Sequence, residues 1–253
     1  MMRAALAVFA LISAAPAVAA TAVEAFNAGR FAEATTAGRK EATDASLILA
    51  ARAASTRAAW QTTGKEEARA LLDGASADVG KVLARDPGNL DALLQRGVNT
   101  GYIAKLTKSP GLAKDAKRDF EAVLAKRPND PLALAAMGGW HGESVATLGK
   151  FMAGTALGAK EGQAFRYFEQ ASRGTAADPA VPVFYATTLL NLSAKYAPKA
   201  KGLLERAARA QADDGFERLL QQNARAILAP LERGDVETAR LLAAKLSPLG
   251  ALR

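Results

Sequence analysis

Between Lys114 and Val123, apolar side chains recur at Ala116, Phe120 and Val123, while Lys114, Asp115, Lys117, Arg118 and Glu121 take the other faces. The i, i+4, i+7 spacing predicts one amphipathic helix with a single buried stripe. Pro128 ends it, because proline donates no hydrogen bond to the preceding turn and biases Arg127 away from helical angles. Asn129 and Asp130 are good caps for a new helix, and Pro131 suits its first turn. The second helix continues through Leu132, Leu134, Met137 and Trp140. So short a corner lays the two helices against each other.

The pattern returns along the chain. Small-then-large pairs like Ala116 and Phe120 occur at Ala75 with Val79, Ala164 with Phe168 and Ala200 with Leu204, and Ala34 and Ala239 extend the series. From Ala34 through Ala75, Ala116, Ala164 and Ala200 to Ala239, the steps are 41, 41, 48, 36 and 39 residues. Loops between helices absorb such unevenness at small entropic cost. Corners recur as well: Pro87 follows Val79 as Pro128 follows Phe120, and Asp178-Pro179 follows Phe168 as Asp130-Pro131 follows Phe120. The series predicts an all-α chain of six helical hairpins, some degenerate.

These residues resemble the tetratricopeptide repeat family, whose second helix carries a small residue and an aromatic four apart, with a proline eight residues later and Leu-Gly in the next first helix. Ala116, Phe120, Pro128 and Met137-Gly138 match that order, as do Ala75, Val79, Pro87 and Gly97, with Arg96 standing where the family prefers leucine. Gly29-Arg30-Phe31-Ala32-Glu33-Ala34 and Gly234-Asp235-Val236-Glu237-Thr238-Ala239 echo the family's turn. From Gly138 to Ala171, the runs GGWHGES and FMAGTALGAKEGQAFRYFEQA are similar to the helical domain of the regulator-of-microtubule-dynamics family. They are also similar to the periplasmic T-component proteins associated with tripartite solute transporters. The resemblance implies a superhelical stack of antiparallel hairpins, a TPR-like α-solenoid used for association.

Composition agrees with helices. Half of the 253 residues are apolar and only 6% aromatic, and no run of alternating β-branched residues suggests a sheet. Such a chain can bury a full core as one elongated domain over residues 21–253. Residues 1–20 read instead as a signal peptide: Arg3 is the positive n-region, Ala4 to Ile12 the apolar core, and Ser13 to Ala20 a small-residue tail with Ala17-Val18-Ala19. Cleavage is expected after Ala19 or Ala20, and the apolar run is shorter than the roughly 20 residues a span requires. A retained membrane anchor is the alternative. The chain holds no cysteine, which excludes a lipidated anchor, disulfides and thiol chemistry and suits an exported, periplasmic protein of a Gram-negative bacterium.

Candidate chemistry is sparse. The single histidine, His141, lies two residues from Glu143, which invites an acid/base reading. Residues at i and i+2 point to different sides of a helix, and a satisfied, semi-buried histidine is the plainer reading. One histidine, no cysteine and no Asp-x-Asp-x-Asp-Gly loop leave no metal site in the pattern, and no cofactor is expected. Gly138, Gly139 and Gly142 lack the strand and the Gly-Lys-Ser/Thr of a phosphate loop; they suit close approach of a neighbouring helix or of a bound peptide. Leu148 to Gly162, with Phe151 and Met152, reads as a cover over a groove or as an extra apolar turn closing the core.

The net charge of +8 becomes +7 on losing Arg3, and Lys195, Lys199, Lys201, Arg206 and Arg209 concentrate it in one region. Tyr196 alone interleaves with them, short of a stacking platform, so nucleic acid is not an expected partner, whereas a membrane surface, anionic glycan or acidic protein would be attracted. Three functional classes follow. The first is a non-enzymatic scaffold that binds a protein segment or peptide on a concave side lined by the first helix of each pair, with Asp91, Leu94, Tyr102, Glu143, Thr187 and Asn191 as contacts. The second is a periplasmic small-molecule-binding accessory of a solute transport system, with a pocket near Trp140, Phe151 and Tyr167. An enzyme comes last.

Overall fold

The computed structural model describes residues 20–173 and 178–252, so the expected signal peptide lies outside the described residues except for Ala20. The described residues form twelve α-helices and no strand: α1 (Ala22–Asn27), α2 (Phe31–Glu41), α3 (Asp44–Trp60), α4 (Lys65–Arg85), α5 (Leu90–Thr107), α6 (Pro110–Lys126), α7 (Pro131–Leu157), α8 (Glu161–Ala171), α9 (Ala180–Leu192), α10 (Ala197–Arg209), α11 (Gly215–Glu232) and α12 (Val236–Leu246). Short 3-10 turns lie at Ala194–Tyr196 and Gly250–Leu252.

Each helix starts where its own residues allow it. Asn89, Ser109, Asp130 and Asp214 accept hydrogen bonds from backbone N–H groups in the first turns of α5, α6, α7 and α11. These caps satisfy donors that a helix N-terminus otherwise leaves unpaired. Pro110 and Pro131 take the first helical positions of α6 and α7, where a missing N–H costs nothing.

Consecutive helices pack as pairs, α1 with α2 through α11 with α12. The alanines of the sequence series, Ala34, Ala75, Ala116, Ala164, Ala200 and Ala239, fall on α2, α4, α6, α8, α10 and α12 and are all completely buried. At two seams the interlock is a glycine against a ring. A methyl group on Gly97 of α5 would lie 2.5 Å from the Phe120 ring of α6, and one on Gly138 of α7 would lie 2.8 Å from the Phe168 ring of α8. Charged pairs tie helices together as well: Arg39 holds the buried Asp78 at 2.8 Å, and Arg96 forks onto Asp119 at 2.6 and 2.8 Å.

The first and last pairs also meet. Gly215 of α11 packs against the Gly29 backbone, Arg218 donates to the Asn27 carbonyl, and Arg52 of α3 lies 3.5 Å from Asp214. After α12 the chain turns back to α3: the Leu249 N–H donates to the Ala59 carbonyl at 2.9 Å, and Trp60 Nε1 donates to the Leu246 carbonyl at 2.8 Å. Leu249 and Leu252 bury themselves among Ala58, Ala68, Leu72 and Ile103.

Candidate functional site

The odd-numbered helices α3, α5, α7 and α9 turn their faces toward one another around a cavity of about 760 Å³. Its lining is mainly apolar, with Ile48, Leu49, Leu94, Val98, Ala135, Ala136 and Val181 among the side chains. Four rings form one wall: Trp60 packs edge-on to Tyr102 and Phe216, at 6.4 and 5.5 Å between centroids, and lies 6.4 Å from Phe184. The Arg52 guanidinium covers Phe216 at 5.2 Å from the ring centroid, in cation–π contact at the edge of this wall.

The polar groups on the cavity wall are few and mostly engaged. Lys105 Nζ lies 2.6 Å from a Glu143 carboxylate oxygen, and Asn191 Nδ2 donates to Glu143 at 3.4 Å and to Ser247 Oγ at 3.1 Å. Gln95 Nε2 donates to Asn99 Oδ1 at 2.8 Å and to Ser55 Oγ at 3.3 Å, which ties α5 to α3 beneath the apolar surface. Tyr102 keeps its proton far above the usual range because burial disfavours the phenolate and the Glu143 carboxylate repels it. Asp91 sits on the wall in an ion pair with Arg127 at 2.6 Å.

Of the residues picked out by sequence, Asp91, Leu94, Tyr102, Trp140, Glu143 and Thr187 line this cavity. Asn191 stands one hydrogen bond behind it, on Glu143. Tyr167 is elsewhere, stacked on His141 at 5.7 Å in a smaller pocket of about 190 Å³ that also holds Lys117, Glu121 and Lys160. Phe151 lines neither pocket and is 79% exposed. The reason is Gly149, whose φ of +77° breaks α7 and starts a further helical stretch on a new heading. That stretch buries Ala153 and Leu157 against Trp140 and Met137 and leaves Phe151 and Met152 outside. Part of the Leu148–Gly162 segment thus closes the core and part faces solvent.

His141 and Glu143 face different places, as their two-residue separation requires: Glu143 the large cavity, His141 the small pocket. His141 is 5% exposed and its Nδ1 accepts the Lys160 backbone N–H at 3.2 Å. Burial, with the Lys117 and Lys160 ammonium groups nearby, lowers its pKa to about 4, so the ring is neutral at physiological pH with its proton on Nε2. Of the three clustered glycines, Gly138 and Gly142 admit Phe168 and Thr188 from neighbouring helices. Gly139 instead borders the cavity, and a methyl group there would meet nothing within 4 Å.

Sequence reasoning missed Trp60, Phe184 and Phe216. They come from three helices far apart in the chain, and nothing local marks them as one wall. Among the described residues no group of three or more His, Cys, Asp or Glu side chains is placed to hold a metal, and no helix is long and apolar enough to cross a membrane. No family model, curated protein or solved structure matches this chain.

Proposed function

We propose that this protein is a non-enzymatic binding scaffold, built from TPR-like hairpins in a superhelical arrangement, that takes a peptide or protein segment on the concave face of its odd-numbered helices. The observation that carries the reading is the apolar cavity of about 760 Å³ between α3, α5, α7 and α9. Helical-repeat architectures expose such concave surfaces to partners. Ligand sites are clefts of roughly 300–1,000 Å³ with apolar walls and a few polar groups that fix orientation. Lys105, Glu143 and the Tyr102 hydroxyl would supply those polar groups here, and the pairing of Lys105 with Glu143 supports recognition over chemistry. The expected setting is the periplasm, after export.

A second reading, favoured by the same volume, is an accessory of a solute transporter that carries a small apolar molecule. Both occupants would share the wall of Trp60, Phe184 and Phe216. Gly139→Leu tests the common claim, because Gly139 lines the cavity and the first carbon of the new side chain would meet no protein within 4 Å. We expect the variant to unfold at the wild-type temperature or above it, since glycine is a poor helix former, and to lose binding of an environment-sensitive apolar dye. Undiminished dye binding would refute a groove at this place. Mass spectrometry of extracts from the purified protein separates the occupants: a stoichiometric small molecule supports the carrier, and a peptide or co-purified subunit supports the scaffold.

A further inference from the structure

Only six large apolar side chains are prominently exposed among the described residues, and three of them, Leu148, Phe151 and Met152, fall within five positions. They are 43%, 79% and 53% exposed. The whole run from Ala146 to Met152 is open to solvent, and the break at Gly149, with φ +77° and ψ 159°, turns it into a projecting corner of α7. A soluble chain gains nothing by presenting Phe151 to water, and grouped apolar exposure of this kind marks a contact site.

The surroundings say what would cover it. Lys150 stands inside the corner at 71% exposure and pairs with Glu161 at 2.9 Å. Glu161 also accepts from the Tyr196 hydroxyl and feels Lys195 electrostatically, while Lys160, exposed, precedes it in the chain. Two ammonium groups, those of Lys150 and Lys195, therefore gather around a single carboxylate beside the apolar corner. Three side chains on one turn are too few to make the roughly 1,000 Å² or more that a stable protein interface or a second copy requires. An anionic bilayer needs no such area: shallow insertion of a few apolar side chains combines with basic residues drawn to acidic headgroups.

We propose that the corner from Leu148 to Met152 is a peripheral docking tip for an anionic lipid surface, with Phe151 and Met152 entering the interface and Lys150 and Lys195 facing the headgroups. Leu148 also lines the large cavity, so a docked molecule would hold the mouth of its groove against the membrane. The inference does not depend on what occupies that groove.

The chain contains no cysteine, so one introduced thiol can be labelled uniquely in the full protein. Met152→Cys carrying a nitrobenzoxadiazole probe is mixed with vesicles of phosphatidylglycerol and phosphatidylcholine, or of phosphatidylcholine alone. The same probe at Leu241→Cys, an exposed site on α12, is the reference. The expected result is a blue shift at position 152 with the anionic vesicles only, no shift at position 241, and partition about tenfold weaker or worse when Phe151→Ser is added. A probe at 152 that stays in water overturns the proposal, even if the vesicles retain the protein through its first residues. Equal shifts at both positions, or an equal shift with both vesicle types, overturn it too.

Discussion

At the residue scale, glycine and histidine respond to opposite features of the same packing. Gly97 and Gly138 are small because an aromatic ring from the paired helix occupies the space a methyl would need. Gly97→Ala should gain helix propensity yet destabilise the fold by about 1–3 kcal/mol, because overpacking at a 2.5 Å approach outweighs a propensity gain of roughly 1 kcal/mol. Thermal unfolding of the two chains checks the sign. His141 gives a pH dependence. Unfolded, its ring takes up a proton below the ordinary value of 6.5; folded, it does so only below about 4. Between those values the unfolded chain alone binds the proton, so this ring's contribution is intact above 6.5 and lost as pH falls toward 4. The ring borders the small polar pocket, where Glu121 offsets part of the imidazolium's cost, which limits the loss to about 1–2 kcal/mol. His141→Gln, which keeps an acceptor for the Lys160 N–H, should flatten the difference in melting temperature between pH 7 and pH 4.5 by a corresponding amount. An unchanged difference would place the acid sensitivity elsewhere. The sequence made His141 legible as a packed histidine facing away from Glu143, because a two-residue offset already separates the two. What it could not show was Lys160, nineteen residues on, supplying the hydrogen bond.

At the scale of elements, the small-then-large pattern located the second helix of every pair, because a fully buried alanine every 36 to 48 residues leaves a trace in the chain itself. The segment after α12 left none. Leu249 is held with φ +59°, a conformation costly for a side chain of its size, and is 3% exposed beside Ala58 and Leu72. Packing in the pocket on α3 and α4 outweighs that strain. Leu249→Ala should therefore cost about 2–5 kcal/mol, as for other buried leucines, and denaturant unfolding would show it as a lower midpoint with an unaltered slope. Leu241→Ala, on the exposed side of α12, should change stability by less than about 0.5 kcal/mol, which controls for leucine loss as such. The Leu148–Gly162 segment divides for a reason only partly written in sequence: its two faces differ in composition, but the positive φ of Gly149 sets which face turns inward.

For the whole molecule, the chain ends meet around the helices that line the cavity: α11 reaches α1 and the final residues reach α3. Trp60 sits at that junction, bonded to Leu246 and packed on Tyr102, Phe184 and Phe216. Trp60→Ala should remove a wall of the cavity and loosen the closure together, costing about 3–5 kcal/mol and weakening dye binding, whereas Gly139→Leu should weaken binding alone. If Trp60→Ala bound dye as the parent does, the aromatic wall would not belong to the site. By itself the sequence determined the all-helical character, the cap at Asp130 and the buried face of the second helix of each pair, because these depend on side chains within a few turns of one another. It also picked out residues of α5, α7 and α9 that line the cavity, since first helices share a register. Tertiary structure alone decided that Trp60, Phe184 and Phe216 form one surface, that Phe151 points away from it, and that the ends of the chain meet. Those outcomes depend on small rotations summed over many helix seams, and no local pattern of residues encodes the sum.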